Sequence, residues 1–298
     1  MKIKAIFNKD GGTLRTTDMH AYCEKAIEVF QSAGHEIDCV VVSGADIVEA
    51  LQTAADEGVD ALIAGGGDGT ISAAAGIAWR AGLPLGVVPA GTMNLFARSL
   101  KLPLDIWKTL DVLATADVRH VDIATVNGHA YVHQFSAGMH ARMVRLRNRM
   151  DFASRLGKMR ASTSAALSVM FNPPHFEVAF DINGDGKSDI RDVSAISVCN
   201  NPVGNNPWFY ADDITTGELG VYLAAPMDSV GLVGLAIDIM RGRLAENQAV
   251  TASKTKIVRL HFPKHRKGVA CVVDGELLRM PRDVEIKIHP GELKVLAP

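Results

Sequence analysis

The segment that most constrains the fold is Gly65-Gly66-Gly67-Asp68-Gly69-Thr70, which stands between a short apolar run and a helical pattern. Glycine lets the backbone turn tightly and approach a ligand because no Cβ atom is in the way. Successive amide groups at the start of a helix form a concave, positively polarised site for phosphate. The segment therefore predicts a strand, a phosphate-binding loop and a helix. A tight turn with only a structural role is the alternative.

The pattern around this loop predicts an α/β domain followed by a β domain. Over the first 120 residues, apolar strands alternate with helical segments, which is typical of a parallel sheet covered by helices on both faces. We predict an α/β nucleotide-binding domain over residues 1–120 and a mainly antiparallel β-sandwich domain, holding the acceptor site, over residues 121–298. Whether the last strand returns to the first domain is left open.

Particular elements can be predicted from periodicity and turn residues. Asn127-Gly128 separates two apolar runs and predicts a hairpin with a type I′ turn. A helix is expected over residues 71–80, a long helix over 139–170 and one strand over 190–199. Two separate strands are expected near the C-terminus, over residues 284–288 and 293–296.

Composition excludes several classes of protein. Apolar residues make up 48% and charged residues 21%, which is a globular mixture. No apolar run approaches the ~20 residues that a membrane-spanning helix needs. The four cysteines lie far apart without a CxxC pair, which argues against a zinc site or a disulfide framework. We therefore expect a cytoplasmic protein, in a reducing compartment.

Two basic segments interrupt a chain whose net charge is −2. Residues 139–160 hold six arginines and one lysine against one aspartate, and residues 254–268 hold six cations and no acid. An amphipathic, arginine-rich helix can lie on an anionic membrane. A helix packed on its own domain is the alternative. The arginines on one face of this predicted helix are Arg142, Arg145 and Arg149.

A second glycine loop follows the next predicted strand, in Pro89-Ala90-Gly91-Thr92-Met93-Asn94-Leu95-Phe96-Ala97-Arg98. Thr92 can donate its hydroxyl to phosphate, although it is equally suited to be an ordinary N-cap. Asn94 can bond the backbone or a nucleotide. Two glycine-opened helix starts on consecutive parallel strands favour a nucleotide site at the carboxyl edge of the sheet. The chain contains neither a GxGxxG fingerprint nor a complete P-loop.

A late turn, Asp274-Gly275-Glu276, could place a carboxylate in the same site. Asp-Gly is a common hairpin turn, and that is the alternative. In the functional interpretation, Glu276 takes a proton from a substrate hydroxyl.

In this order the segments resemble the diacylglycerol kinase catalytic family, in particular the soluble bacterial lipid kinases. GGGDGT alone would also fit NAD kinases and phosphofructokinases, but its combination with the second loop and the late turn is more specific. The matching pieces are Asn8 with Gly11-Gly12-Thr13, residues 65–70, residues 89–98, Phe135-Ser136-Ala137-Gly138 and Asp274-Gly275-Glu276.

The resemblance implies a two-domain kinase that binds ATP and Mg²⁺ in the cleft between the domains. Glu276 matches the family's general base, and Asp68 matches the acid linked to Mg²⁺ through water or phosphate. Ser43 is a weak match to a nucleotide-contacting threonine. The expected nucleotide-binding residues are Asn8, Ser43, Gly66, Gly67, Asp68, Gly69, Thr70, Thr92 and Asn94.

The chain departs from the family pattern at two positions. Leu95 follows Asn94 where relatives commonly have aspartate, a variant that we expect to be tolerated. Thr216 falls where many relatives have an aspartate that supports a structural Mg²⁺ site. A hydroxyl cannot replace that carboxylate, so we do not predict this second metal.

Residues 181–192 mimic a Ca²⁺-binding loop of the EF-hand type. Oxygen-bearing side chains occupy the ligand positions, but the last of them is a short aspartate and the flanks resemble strands. A plain hairpin is the alternative. The candidate Ca²⁺ ligands are Asp181, Asn183, Asp185, Asp189 and Asp192.

Together these features predict an enzyme that phosphorylates a lipid hydroxyl with ATP, with diacylglycerol or a related lipid alcohol as acceptor, at the periphery of an anionic membrane. Two alternatives remain: a kinase of a soluble acceptor, as NAD kinases are, and a non-catalytic nucleotide or lipid sensor. Nucleic-acid binding is not expected, because the chain has no recognition-helix or zinc motif. The sequence leaves open whether the chain forms a homodimer.

Overall fold

The computed structural model describes residues 1–148, 175–182, 184–265 and 267–298. Short 3-10 helices cover Leu14–Thr16 and Leu244–Glu246. The helices are α1 (Met19–Ser32), α2 (Ile47–Asp56), α3 (Asp68–Ala81), α4 (Leu95–Ser99), α5 (Ile106–Ala114), α6 (Met139–Asn148) and α7 (Ser229–Met240). The strands are β1 (Lys2–Asn8), β2 (Glu36–Val42), β3 (Ala61–Gly66), β4 (Leu85–Pro89), β5 (Asp117–Val126), β6 (His129–Tyr131), β7 (Gln134–Gly138), β8 (Phe176–Ile182), β9 (Asp189–Val193), β10 (Ala195–Cys199), β11 (Leu219–Ala224), β12 (Val250–Thr255), β13 (Ile257–His261), β14 (Val269–Val273), β15 (Glu276–Met280) and β16 (Asp283–Ala297).

The first sheet begins as a parallel sheet and continues as an antiparallel one. Its strands follow the order β2-β1-β3-β4-β16-β13-β8-β9, with β5 and β6 attached beside β16. The pairs among β1 to β4 are parallel, and the residues of β3 and β4 are all buried. Buried parallel strands need helices on both faces, which α1 to α5 supply. The predicted α/β class of the N-terminal half is therefore confirmed.

The last strand joins the two halves of the molecule. β16 pairs in parallel with β4 at Val295 and antiparallel with β5 and β13. The final residues thus return to the N-terminal sheet. Because one sheet passes through both halves, the boundary near residue 120 stays a prediction.

The second sheet packs on the antiparallel part of the first sheet. Its order is β12-β11-β10-β7-β14-β15, and the described pairs within it are antiparallel. A core of inward-facing residues, such as Phe135, Val198 and Val273, meets residues of β8, β13 and β16, such as Leu260 and Ile286. The predicted antiparallel sandwich is confirmed. The outer face of the second sheet carries α6 and α7.

Several predicted elements need correction. The strand expected over residues 190–199 is two strands in different sheets, because Ser194 leaves the first sheet and pairs with Ala224 and Met139 instead. The helix expected from residue 71 already begins at Asp68. Gly67 still has an extended backbone and is the N-cap of this helix, so the extended segment ends directly before Asp68. The two C-terminal strands are one strand, β16, whose pairing is irregular between His289 and Leu293. Of the helix predicted over 139–170, the part beyond Asn148 lies outside the described residues.

The Asn127-Gly128 hairpin is confirmed. Asn127 has a φ of 47° and Gly128 a φ of 81°, as a type I′ turn requires. The turn joins β5 to the short β6, and the chain then crosses to β7 in the second sheet.

Candidate active site

Three loops meet at the carboxyl edge of the parallel strands. A Cβ atom at Gly91 would lie 2.8 Å from the Cα of Gly67, and one at Gly12 would lie 2.8 Å from the carbonyl oxygen of Ala90. Both distances are shorter than van der Waals contact, so these positions accept only glycine without a shift of the backbone. The glycines that follow β1, β3 and β4 thus form one surface of backbone atoms.

Asp68 joins two of these loops. The N–H groups of Asn94 and Leu95 donate to its two carboxylate oxygens, at 3.1 and 2.8 Å. Asn94 has a φ of 51°, and its Oδ1 accepts from the N–H of Gly91 at 2.8 Å. The carboxylate expected to be linked to Mg²⁺ therefore also fixes the second glycine loop, and Asn94 shapes that loop from inside.

Asn8 and Thr70 meet at the floor of the site. Nδ2 of Asn8 donates to Oγ1 of Thr70 at 3.1 Å, and Thr70 is buried. Ser43 lies at the end of the neighbouring strand β2, where its hydroxyl donates to Asp46 at 2.6 Å. The next residue, Gly44, lies beside Asn8, so the weakly matched serine is near the edge of the site with its hydroxyl proton already engaged.

Glu276 reaches this edge from the second sheet. The turn between β14 and β15 places Asp274 and Gly275 at φ values of 44° and 87°. Oε1 of Glu276 lies 3.1 Å from the position that a Cβ atom would take on Gly69, in the first turn of α3. The structure therefore brings Glu276 to the GGGDGT loop, across the cleft between the halves of the molecule.

Asp274 anchors that turn and was not among the predicted site residues. Its buried carboxylate accepts four hydrogen bonds, one from the hydroxyl of Ser72 on α3 and three from backbone N–H groups. Ser72 contributes at 2.6 Å, and the amides of residues 132–134 contribute at 2.8 to 2.9 Å. The contact between α3 and the turn carrying Glu276 is thus made by one carboxylate. The Asp-Gly pair predicted a turn, but nothing local in the sequence indicates these partners.

His133 is a second residue that the sequence did not single out. It lies beside the Asp274 turn, and its ring contacts Phe209 with the centroids 6.3 Å apart. Burial lowers the pKa of His133, while the carboxylates of Asp274 and Asp68 oppose that shift. The imidazole is therefore neutral near pH 7, between the two acids of the site.

The second glycine loop also touches the C-terminal half. Nε of Arg98 donates to the carbonyl of Met93 at 2.9 Å, and its guanidinium lies 5.0 Å from the ring centroid of Trp208. Thr92 is exposed, at the tip of the loop. Its hydroxyl is accessible to a ligand that enters the cleft.

The residues present fit a Mg²⁺ ion that arrives with a nucleotide. Among the described residues, no set of three or more His, Cys, Asp or Glu side chains is arranged to hold a metal by itself. Mg²⁺ in kinases is usually bound through one or two carboxylates, with phosphates and water completing the shell. Asp68 is only partly buried and keeps free lone pairs on both oxygens, so it can supply such a carboxylate.

Near Thr216, the side-chain amide of Asn201 lies between Asp122 and Thr216, the two side chains that could face a second metal. Nδ2 of Asn201 donates to Oδ2 of Asp122 at 2.6 Å and to Oγ1 of Thr216 at 2.9 Å. The N–H groups of Gly217 and Gly291 also donate to the Asp122 carboxylate. Both carboxylate oxygens of this buried aspartate thus accept hydrogen bonds from within the protein.

The predicted Ca²⁺ loop forms the turn of the β8–β9 hairpin. Asp181 accepts from the N–H groups of Asp185 and Gly186, at 3.2 and 3.0 Å. Asp189 pairs with Arg191, and Asp192 pairs with His175. Asn183 lies outside the described residues. These contacts favour the plain hairpin, and the Ca²⁺ site stays a prediction.

The basic helix α6 packs on the outer face of the second sheet. Ala141 and Val144 contact Val272 and Leu277, so this side of the helix faces the protein. Arg145 is exposed, Arg142 is partly buried, and Arg149 lies outside the described residues. The described part of the chain contains no helix that is long and apolar enough to cross a bilayer.

Comparison with known proteins identifies the N-terminal half most clearly. The family described as diacylglycerol kinase catalytic domain matches residues 2–126. A diacylglycerol kinase of Bacillus subtilis (strain 168) is 28% identical over 280 residues, which cover 90% of each chain. A diacylglycerol kinase of Staphylococcus aureus (strain JH9) is 37% identical over 116 residues, 38% of this chain and 37% of that protein.

Other relatives extend the similarity over most of the chain. An uncharacterized protein of Synechocystis is 26% identical over 85% of this chain, and the match spans 58% of that longer protein. A crystal structure of a diacylglycerol kinase from Bacillus anthracis superposes with a TM-score of 0.72 at 18% identity, over all of this chain and 97% of that one, which establishes the shared fold. Over its residues 2–126, this chain is thus similar to the diacylglycerol kinase catalytic-domain family, and the relative that it matches over 90% of its length is a diacylglycerol kinase.

Proposed function

We propose that the chain transfers the γ-phosphate of ATP to the hydroxyl group of a lipid alcohol, with diacylglycerol or a close relative as acceptor. The observation that carries this proposal is the position of Glu276 against Gly69, beside the glycine loops. A carboxylate at that place can accept a proton from an alcohol that attacks a phosphate held on the loops. The names of the relatives support the choice of acceptor.

In this proposal the glycine loops bind the phosphate groups of ATP. The amides of residues 66–70 lie at the start of α3, where the helix dipole and free N–H groups favour anions. The exposed hydroxyl of Thr92 can add a hydrogen bond from the second loop. Mg²⁺ bound through Asp68 would neutralise charge on the phosphate oxygens. Asn8 and Thr70 hold the floor of this site.

In this proposal Glu276 acts on the acceptor hydroxyl, and Asp274 keeps Glu276 in position. Glu276 removes the proton of the acceptor hydroxyl as the oxygen attacks phosphorus. Asp274 fixes the turn on α3 through Ser72, so the base keeps its position relative to the phosphate loops. Phosphoryl transfer depends mainly on such alignment and on charge neutralisation.

The acceptor is expected to be collected at a membrane surface by a peripherally bound enzyme. Helix α6, which carries the exposed Arg145, lies on the outer face of the second sheet, and cations of this kind are attracted to anionic lipids. A lipid alcohol in the bilayer would then be presented to the same half of the molecule that carries Glu276.

The proposal is tested with radiolabelled ATP, Mg²⁺ and dispersed diacylglycerol. Glu276→Gln should lower turnover by ~10²–10⁴-fold, the usual loss on removal of a general base, without weakening ATP binding. Glu36→Gln, an exposed glutamate on β2, is the matched control and should keep wild-type turnover. Wild-type turnover in Glu276→Gln would refute the assigned base. Phosphorylation of a water-soluble alcohol such as NAD would instead indicate a kinase of a soluble acceptor. ATP binding without any turnover would indicate a non-catalytic sensor.

A further inference from the structure

Helix α7 has one apolar side buried and another apolar side exposed. Leu232 and Leu235 are 4% and 6% exposed and pack on Cys199 and Tyr222, on the outer face of the second sheet. The opposite side of the helix carries large apolar residues at intervals of three, four and three positions, which form one stripe along an α-helix. These residues are Val230 (78% exposed), Val233 (41%), Ile237 (36%) and Met240 (63%).

Acidic side chains do not interrupt the stripe. Asp228 caps the helix by accepting from the N–H of Gly231 at 2.8 Å. Asp238, on another side of the helix, accepts from Nδ2 of Asn247 at 2.7 Å. Single exposed apolar residues are normal on a protein surface, whereas an aligned group of them marks a contact surface.

The two helices α6 and α7 lie side by side on the same face of one sheet. α6 covers β14 and β15 through Val272 and Leu277, and α7 covers β10 and β11 through Cys199 and Tyr222. Since both helices bury their inner sides on one face, their outer sides are directed away from the sheet in the same general direction. The stripe of α7 and the exposed Arg145 of α6 therefore lie on the same side of the second sheet.

Cations also lie on the outer face of the second sheet and on its helices. Lys254 on β12 pairs with Gly220, and its neighbour Ala252 pairs with Tyr222, which places Lys254 on the outer face of the sheet. Arg279 shares a face of β15 with Leu277, because alternate residues of a strand point the same way. The exposed cations of this face and its two helices are Arg145, Arg241, Lys254 and Arg279.

We propose that the outer side of α7 inserts into the surface of a bilayer that contains anionic phospholipids, to which the cations of the same face are attracted. An apolar helix side together with lysine and arginine is the combination that binds membrane interfaces. The inference deepens the proposed function, since it assigns the element that brings the enzyme to its lipid acceptor. Charge complementarity favours an anionic surface, because the exposed Arg241 directly follows Met240 of the stripe, while Asp228 and Asp238 are engaged within the protein.

Vesicle sedimentation of the full chain, without nucleotide, tests the proposal. Wild type should bind vesicles rich in phosphatidylglycerol more strongly than vesicles of phosphatidylcholine, and salt should weaken the binding. In the double variant Val230→Asp with Ile237→Asp, the vesicle–water partition coefficient should fall at least about tenfold. Charged groups would replace apolar side chains that gain free energy when their CH₂ groups enter the bilayer. The matched control is Val48→Asp with Ile190→Asp, two residues that are 54% and 65% exposed on α2 and β9. This control should bind like wild type.

A second variant guards against a folding defect. Val230→Thr with Val233→Thr keeps the shape of both side chains and should weaken binding in the same direction, with an unchanged unfolding midpoint. Equal binding of wild type and of the double aspartate variant would overturn the proposal, as would equal binding to both kinds of vesicle. A dimer that the aspartate variant dissociates, without vesicle binding by wild type, would assign the stripe to a second copy of the chain. Because binding is measured without ATP, loss of the kinase proposal would leave this result standing.

Discussion

The glycine loops and the Asp274 turn shape the same cleft from opposite sides, and they do so with different atoms. In the loops, backbone contacts backbone: the N–H of Ala90 donates to Gly66, and the N–H of Thr13 donates to Ala90. In the turn, one side-chain carboxylate accepts from α3 and from residues 132–134 at the start of β7. The first arrangement depends on the absence of side chains and the second on a single charge.

This difference has a consequence for alignment. The loops follow strands of one buried sheet, so their relative positions are set by the strand register. The turn belongs to another sheet, and Ser72 and Asp274 are 202 residues apart in sequence. We infer that substitutions in the loops act first on nucleotide binding, whereas substitutions in the turn act first on turnover.

Among the substitutions that compare these two regions, Asp274→Asn should give the largest effect. The side chain keeps its shape, but an amide oxygen with two lone pairs cannot serve four donors, and Nδ2 would face N–H groups. Each donor left unpaired costs roughly 1–3 kcal/mol of the free energy of unfolding. Turnover should fall at least about 100-fold, because Glu276 loses its fixed position, while the KM for ATP changes little. Urea unfolding and steady-state kinetics measure both quantities.

Asp105→Asn is the control for this variant. Asp105 also accepts from backbone N–H groups, as the N-cap of α5, and asparagine is an equally good N-cap. The control should be nearly neutral. If Asp274→Asn were equally neutral, the idea that one carboxylate holds the turn on α3 would be wrong.

Gly91→Ala should give the next largest effect, now on the nucleotide. The added methyl group would lie 2.8 Å from the Cα of Gly67 and from Oδ1 of Asn94, so the two loops must move apart. Such overpacking costs about 1–3 kcal/mol in stability. ATP affinity, measured by calorimetry, should fall together with the unfolding midpoint.

Gly234→Ala provides the comparison. A Cβ atom at this position in α7 meets no heavy atom within 4 Å, and alanine favours a helix over glycine by ~1 kcal/mol. The control should be as stable as wild type or more stable. Unchanged ATP affinity in Gly91→Ala would show that the contact between the loops does not shape the nucleotide site.

The same difference explains how much of the site the sequence could predict. Glycine chemistry is local, so residues 65–70 and 89–98 predicted the loops, and the order of strands placed them on one edge. The role of Glu276 was predicted from the match of its turn to a family motif, and the structure brings its carboxylate to Gly69. Asp274 appeared only as a turn residue, because its partners are fixed by tertiary packing. Tertiary packing also divides the strand predicted over residues 190–199 at Ser194. It leaves one apolar side of α7 exposed, whereas an apolar pattern alone predicts only that a helix forms.

His133 lies where the two regions meet and should give the smallest effect, visible as a dependence on pH. Burial lowers the pKa of His133 in the folded protein below the ordinary value of 6.5. Between those two pKa values the unfolded chain binds more protons than the folded one, so stability must fall as the pH drops through about 6.5. His133→Asn should flatten this part of the curve of unfolding free energy against pH, measured with urea between about pH 5.5 and 7.5. The control His129→Asn, at the exposed first residue of β6, should keep the wild-type slope. An unaltered slope in His133→Asn would mean that His133 has the same pKa in the folded and unfolded chains, so that burial does not lower it.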